Sequence, residues 1–169
     1  LGHPLHPVFT DIPVGAWTTA LVLDAAEAST GDAAYGRGAD VAVATGLVGA
    51  AGAALTGLTD WSETDGAARR VGLAHGLLNI AATSMFVTSL VMRRSGARGG
   101  GRAFAALGFA IASTAAYLGG GLVYRDRIGV THADDSAPAD FVRVLASGDL
   151  PEGGTRQVDA AGTAIVVIR

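Results

Sequence analysis

The sequence predicts a mainly α-helical fold, a four-helix up-down transmembrane bundle followed by a short C-terminal β segment. Half of the 169 residues are hydrophobic, and only 16% are charged. The stretches 41–58, 71–92 and 103–123 contain no Asp, Glu, Lys or Arg. Each stretch is close to the ~20 residues with which a helix crosses the hydrocarbon core of a bilayer. The connections between them are short, which favours antiparallel neighbours in one bundle.

Residues 8–26 form a fourth, weaker candidate span. Asp11 and Asp24 lie near its ends, and Pro13 lies in its first turns, where proline is tolerated. The alternative is a soluble, Ala-rich bundle buried on all sides, which charge-free runs of this length disfavour. Arginines at the ends of the runs have the placement expected of interfacial anchors: Arg69, Arg70, Arg93, Arg94, Arg102 and Arg125.

Polar connections are expected at 27–40 and 59–70, and a flexible basic loop is expected at 93–102. An even number of spans places both termini on the same side of the membrane. The arginines are divided almost equally between the two sides, so the positive-inside rule leaves the orientation open. All 12 basic residues are Arg, a bias that suggests a GC-rich bacterial genome and therefore a bacterial cytoplasmic membrane.

The composition also excludes several classes of function. A net charge of −3 argues against a nucleic-acid binder driven by basicity. Without any cysteine, these residues cannot form a disulfide, a zinc–thiolate site, a Cys nucleophile or a complete iron–sulfur centre. The chain begins with Leu1 instead of Met, from which we expect a fragment of a longer protein.

The character of the chain changes after the fourth span. We expect a membrane domain over 1–132, an acidic linker over 133–140 and a β segment over 141–169. Within this segment, a short strand is predicted at 141–145 and a hairpin over 155–169 with its turn at 159–162. Because a hairpin alone is marginally stable, the segment suggests the start of a β domain that these residues do not complete.

The histidines form the candidate site. In an antiparallel bundle, all four lie towards one end: His3, His6, His75 and His132. His75 lies one turn inside a charge-free span, with Asn79 one turn further on the same face. A polar ring at this depth needs a partner inside the protein, so we expect His75 to point into the bundle with His3 or His6 within reach.

Two interpretations of these histidines remain open. They are candidate ligands of haem b or of another metal ion, or they form hydrogen bonds that hold the helices together. In the first case, Asn79, Asp60 and Asp11 are candidate polar support. Asp11, Asp24 and Asp60 are otherwise expected to act as interfacial caps. The sequence shows no pattern typical of a catalytic triad, a carboxylate pair or a phosphate loop, so no catalytic residue is predicted.

Four motifs then identify a family resemblance: HPLHPVFTDIPVGAW (3–17), TGLTDW (56–61), AHGLLN (74–79) and YLGGGLVYRDRIGV (117–130). They resemble an uncharacterised bacterial four-helix membrane family, the domain of unknown function 2231, over about 1–132. Residues 142–169 resemble the first strands of a Rieske [2Fe–2S] ferredoxin-type domain. The Cys-x-His and Cys-x-x-His ligand pairs of such a domain are missing here, so the [2Fe–2S] cluster that the resemblance implies cannot be bound by these residues.

The resemblance implies a membrane anchor and redox module that tethers a Rieske-type electron carrier, whose cluster ligands lie beyond this chain. The alternatives are a b-type cytochrome-like membrane domain that exchanges electrons with quinol or the Rieske domain, and a purely structural membrane protein. The expected partners are the lipid bilayer and a quinone or redox protein, without nucleic acid. Electron transfer or anchoring is expected in preference to catalysis, and the oligomeric state stays open.

Overall fold

The computed structural model describes residues 5–130 and 140–169, which fall into two compact units divided between Val130 and Thr131. The first unit contains four helices in an up-down arrangement, which confirms the mainly helical prediction. Their bounds are α1 His6–Thr30, α2 Ala33–Ser62, α3 Gly66–Arg94 and α4 Arg98–Tyr124.

The helices extend well beyond the predicted spans, and the predicted polar loops at 27–40, 59–70 and 93–102 are wrong. Only residues 31–32, 63–65 and 95–97 connect consecutive helices. Gly31 ends α1 in a left-handed conformation, and the side chain of Asp32 caps α2 by accepting a hydrogen bond from the Ala34 N–H. Charged residues end a hydrophobic run without ending a helix, because the backbone hydrogen bonds continue through them.

Among the described helices, α2, α3 and α4 are long and apolar enough to cross a membrane. At most 22% of the apolar window of each is buried within the protein. The exposed remainder matches the hydrocarbon that would surround it. The helix α1 has 25 residues but carries Asp11, Asp24 and Glu27, so its assignment as a span remains a prediction.

The bundle is built from two helical hairpins, α1–α2 (the first hairpin) and α3–α4 (the second hairpin), within which the packing is most extensive. Glycines let the two helices of each hairpin approach closely. A side chain on Gly46 would overlap Trp17, and one on Gly52 would overlap Phe9. In the second hairpin, Gly108 leaves the corresponding room for Phe86.

The two hairpins are internal repeats of one another. Shifting α1 by the 69 positions that separate Asp24 from Arg93 superimposes its four buried residues on buried residues of α3. They are Pro13 on Ala82, Trp17 on Phe86, Ala20 on Ser89, and Asp24 on Arg93. Shifting α2 along the sequence by the number of positions that separates Gly46 from Gly108 aligns a buried residue of α2 with every buried residue of α4. Those residues of α4 are Gly101, Ala105, Gly108 and Ala115. The bundle therefore has an approximate two-fold axis along its length.

The second unit contains an antiparallel two-stranded sheet of β1 Thr155–Ala160 and β2 Thr163–Ile168. This confirms the predicted hairpin, whose turn contains Ala161 and Gly162 at positive φ. A 3₁₀ turn over Ser147–Asp149 precedes it. The strand predicted at 141–145 is wrong, because these residues have no strand partner among the described residues, and β-branched composition without a partner does not make a strand.

Candidate functional site

His6 and His75 meet near one end of the bundle, which we call the histidine end. Their ring centroids are 6.4 Å apart, and the ring planes are almost perpendicular at 84°. One ring comes from the start of α1 and the other from the start of α3. They are equivalent positions of the two hairpins, and so they face each other across the approximate two-fold axis. Both residues are half-buried.

Each imidazole is held in the same way by its own hairpin. The Nδ1 atom of His6 lies 2.9 Å from the Ala53 carbonyl oxygen, and that of His75 lies 2.8 Å from the Ala115 carbonyl oxygen. Because a carbonyl oxygen only accepts hydrogen bonds, the proton of each ring is on Nδ1. In a neutral imidazole held in this way, Nε2 is the unprotonated nitrogen, through which histidine binds a metal.

The same three-residue arrangement therefore occurs twice. A glycine faces each ring where a side chain would collide with it, Gly57 for His6 and Gly119 for His75. Histidine, the alanine carbonyl and glycine occupy equivalent positions of the two hairpins. A ring that merely filled space would not need its orientation fixed identically in both halves.

The two Nε2 atoms differ in their surroundings. Asn79 places its side-chain nitrogen 3.1 Å from His75 Nε2 and also donates to the His75 backbone carbonyl. The equivalent residue of α1 is Thr10, whose hydroxyl instead donates to the Pro7 carbonyl. Within residues 5–130 and 140–169, no hydrogen bond is formed by His6 Nε2. Asn79 thus occupies the ligating nitrogen of one imidazole only.

The other predicted site residues are not brought into this pair. Asp11 is exposed on α1, and Asp60 is half-buried in the last turn of α2. His3 and His132 lie outside the described residues. Among those described, no three or more His, Cys, Asp or Glu side chains converge on a possible metal position.

An aromatic stack closes the middle of the bundle. Trp17 and Phe86 lie parallel with ring centroids 3.9 Å apart, and both are buried. Like the histidines, they are equivalent residues that meet across the axis. They are 11 positions beyond His6 and His75, or roughly 16 Å along the helices. The histidine end is therefore separated from the opposite end by packed aromatic rings.

The opposite end, the ionic end, holds a cluster that the sequence did not predict. Three carboxylates of the first hairpin meet three guanidinium groups of the second hairpin. This ionic cluster consists of Asp24, Glu27, Asp40, Arg93, Arg98 and Arg102.

Arg93 lies at the centre of the ionic cluster. It is fully buried and forms a two-point ion pair with Asp24, one of whose contacts is 2.7 Å. Its Nε donates to Ser89, which in turn donates to the Gly101 carbonyl. The interpretation of Asp24 as an interfacial cap is therefore wrong. It is a buried partner of Arg93, because the helix continues past it and turns it inward.

Glu27 of α1 pairs with two arginines of α4 in this cluster. It accepts hydrogen bonds from Arg98 at 2.7 Å and from Arg102 at 2.5 Å. These two hydrogen bonds, first that of Arg98 and then that of Arg102, lower the pKa of Glu27 below its ordinary value of 4.5. Glu27 therefore stays ionised into the acid range.

Comparison with known proteins supports the membrane assignment. A family model described as a predicted membrane protein family, DUF2231, matches residues 2–132. No curated protein and no solved structure matches the chain. The family match covers the four helices and contains both histidines of the site. The chain is therefore a member of the DUF2231 family of membrane proteins.

Proposed function

We propose that the helical domain is a membrane redox module in which His6 and His75 hold a haem b. The observation that carries this proposal is the pair of equivalent imidazoles, 6.4 Å apart between ring centroids. With metal–nitrogen bonds of about 2 Å, two imidazoles on opposite sides of one metal ion have ring centroids roughly 6 Å apart. The two residues come from different helices, α1 and α3, and lie at equivalent depths of the bundle.

The donor set supports the same assignment. Neutral histidine is a common ligand of haem iron, and in the neutral form of each ring the carbonyl at Nδ1 leaves Nε2 free of its proton. A bound haem would supply one-electron transfer between its ferric and ferrous states. The residues of this chain orient the two ligands through Ala53 and Ala115, and Asn79 must release His75 Nε2 before that nitrogen can bind.

Purified protein in detergent, titrated with haem and followed by its absorption spectrum, tests the proposal. A Soret band that saturates at one haem per chain is expected. It should shift or weaken in His6→Ala and in His75→Ala. Asp60→Asn is the matched control, since it changes a polar residue of the same end that lies outside the pair. Stoichiometric binding that survives both histidine variants, or no binding at all, would exclude the site.

A second proposal concerns the C-terminal segment. We infer that the helical domain also anchors a Rieske-type [2Fe–2S] carrier whose ligands lie beyond Arg169. The β-hairpin of Thr155–Ala160 and Thr163–Ile168 supports it, since a hairpin is expected where the resemblance to the first Rieske strands lies. The test is to express a longer protein that includes the coding sequence after Arg169 and to record its electron paramagnetic resonance spectrum after reduction. The reduced cluster of a Rieske centre gives an electron paramagnetic resonance signal, and its absence from the extended, iron-loaded protein would overturn this inference.

A further inference from the structure

The polar contacts between the two hairpins are unevenly placed along the bundle. At the ionic end, Glu27 and Asp24 of α1 face Arg98 and Arg102 of α4, and Arg93 of α3 reaches both α1 and α2. All four helices are joined there by ion pairs. Parting the hairpins at this end would separate buried opposite charges, which typically costs several kcal/mol.

At the histidine end, the α2–α3 side of the bundle is also held together. The connection 63–65 joins α2 to α3 directly. The indole nitrogen of Trp61 donates to the Arg69 carbonyl at 2.9 Å, and the Arg69 guanidinium lies 4.7 Å from the centre of the Trp61 ring. Gly72 of α3 leaves room for this indole. The α2–α3 side therefore has both a covalent link and side-chain contacts.

The α1–α4 side at the same end has no such covalent link or polar contact among the described residues. Within the described part of the chain, no hydrogen bond or ion pair joins α1 to α4 near the histidines. The α1–α4 interface is also the least extensive of the helix interfaces in the bundle. The hydrogen bonds of His6 and His75 lie within their own hairpins, to Ala53 and Ala115. Moving the hairpins apart along α1 and α4 would leave those bonds intact.

We propose that the two hairpins separate at the histidine end along the interface between α1 and α4, which we call the seam. The opening would admit a planar, apolar ligand from the bilayer to the two imidazoles. The ionic cluster holds the hairpins together at the opposite end. The α2–α3 side, joined by the Trp61–Arg69 contact, stays closed and is called the hinge side. A ligand of this class is a metalloporphyrin, and that part of the inference rests on the proposed function. The opening itself is inferred only from the positions of the contacts that join the two hairpins.

The internal repeat supplies a matched pair of measurements. Val8 lies on α1 and Tyr117 on α4, the two helices that form the seam. Their repeat equivalents, Leu77 and Leu55, lie on α3 and α2, the two helices of the hinge side. All four side chains are more than half exposed, so a spin label at any of them leaves the packing intact. The chain has no cysteine, so cysteines introduced at these positions are labelled without a background.

The experiment records distance distributions by pulsed electron double resonance for Val8→Cys/Tyr117→Cys and Leu55→Cys/Leu77→Cys in lipid nanodiscs. A third pair, Val22→Cys/Ala103→Cys, reports on the same two helices at the ionic end. We expect a broad distribution with a longer-distance component for the seam pair and narrow distributions for the other two. Added haem should narrow the seam distribution, and Arg93→Ala should broaden the ionic-end distribution.

The outcomes separate this inference from the proposed function. Equal widths for the seam and hinge pairs, or a broader distribution at the ionic end, would overturn the opening even if haem binds. A broad seam distribution in a protein that does not bind haem would keep the opening and remove the metalloporphyrin as its ligand. A broad seam distribution that haem narrows supports both.

Discussion

Asp24 of α1 and Arg93 of α3 occupy equivalent positions of the two hairpins, yet they carry opposite charges and form a buried ion pair across the axis. A second pair of equivalent positions also carries opposite charges, Asp40 of α2 and Arg102 of α4. The first hairpin thus supplies the carboxylates and the second hairpin the guanidinium groups. Two copies of the same hairpin would bring like charges together, so the charge pattern favours pairing of unlike hairpins.

Charge reversal tests this pairing. Asp24→Arg places a second buried cation beside Arg93 and should lower the free energy of unfolding by about 3–5 kcal/mol, the usual cost of breaking a buried ion pair. The double variant Asp24→Arg/Arg93→Asp restores opposite charges and should recover a large part of that loss. Thermal unfolding followed by helical circular dichroism in detergent measures both.

Arg94→Asp serves as the control for that series, because Arg94 is exposed beside Arg93. Its effect should be small, within about 0.5 kcal/mol. A double variant no more stable than Asp24→Arg alone would show that the pair does not determine how the hairpins associate.

The close packing of α1 against α2 predicts opposite effects for two glycine substitutions. A Cβ atom at Gly46 would overlap the indole of Trp17, which is buried in the stack with Phe86. Gly46→Ala should therefore destabilise the bundle by about 1–3 kcal/mol through overpacking. Gly15→Ala meets no neighbouring atom and should be neutral or stabilising by up to about 1 kcal/mol, because alanine favours a helix. Equal effects in thermal unfolding would contradict the described packing.

The hydrogen bonds of Glu27 predict an acid-dependent contribution to stability. Because the pKa of Glu27 is lowered in the folded state, its contribution is fully present above its ordinary value of 4.5 and is lost as the pH falls through the lowered value. Glu27→Gln should therefore reduce the melting temperature at pH 7. The difference from the unmodified protein should shrink at pH values below about 4.5.

Glu63→Gln is the matched control, since Glu63 is exposed in the connection after α2. Its melting temperature should follow that of the unmodified protein across the same pH range. A difference for Glu27→Gln that stayed constant down to the most acid pH would show that the two arginines do not hold Glu27 ionised.

Hydropathy was enough to predict four helices, and the antiparallel order was enough to place His6 and His75 at one end. The contact between His75 and Asn79 follows from their i, i+4 spacing. The pairing of each ring with a specific carbonyl, Ala53 or Ala115, could not be predicted. It depends on the rotation of each helix about its axis, which the close approach at the glycines determines.

The ionic cluster was missed for a different reason. Glu27, Asp40 and Arg98 fall in segments that composition assigns to polar loops, and the helices continue through those segments. Partners drawn from four helices are also far apart in the chain, 69 positions for Asp24 and Arg93. The 69-position offset, which also relates His6 to His75 and Trp17 to Phe86, would have indicated only the Asp24–Arg93 pair of the cluster.

Asn79 predicts how the two imidazoles differ. It donates to His75 Nε2, so it competes with any metal for that nitrogen. Asn79→Ala removes a hydrogen bond typically worth about 1 kcal/mol and should tighten haem binding roughly fivefold in a spectroscopic titration. Thr10→Ala changes the equivalent residue of α1, whose hydroxyl donates to the Pro7 carbonyl, and should leave the affinity unchanged. Weaker binding by Asn79→Ala would mean that Asn79 positions the ring for ligation.

The electron paramagnetic resonance spectrum of the ferric, haem-loaded protein tests the central claim most directly. The planes of His6 and His75 lie at 84° to each other. If both rings bind one iron in these orientations, the spectrum should show the strongly anisotropic low-spin signal typical of nearly perpendicular axial imidazoles. That signal should disappear in His6→Ala and in His75→Ala. A high-spin signal from a singly ligated haem, or a low-spin signal that persists in either variant, would contradict the paired-histidine site.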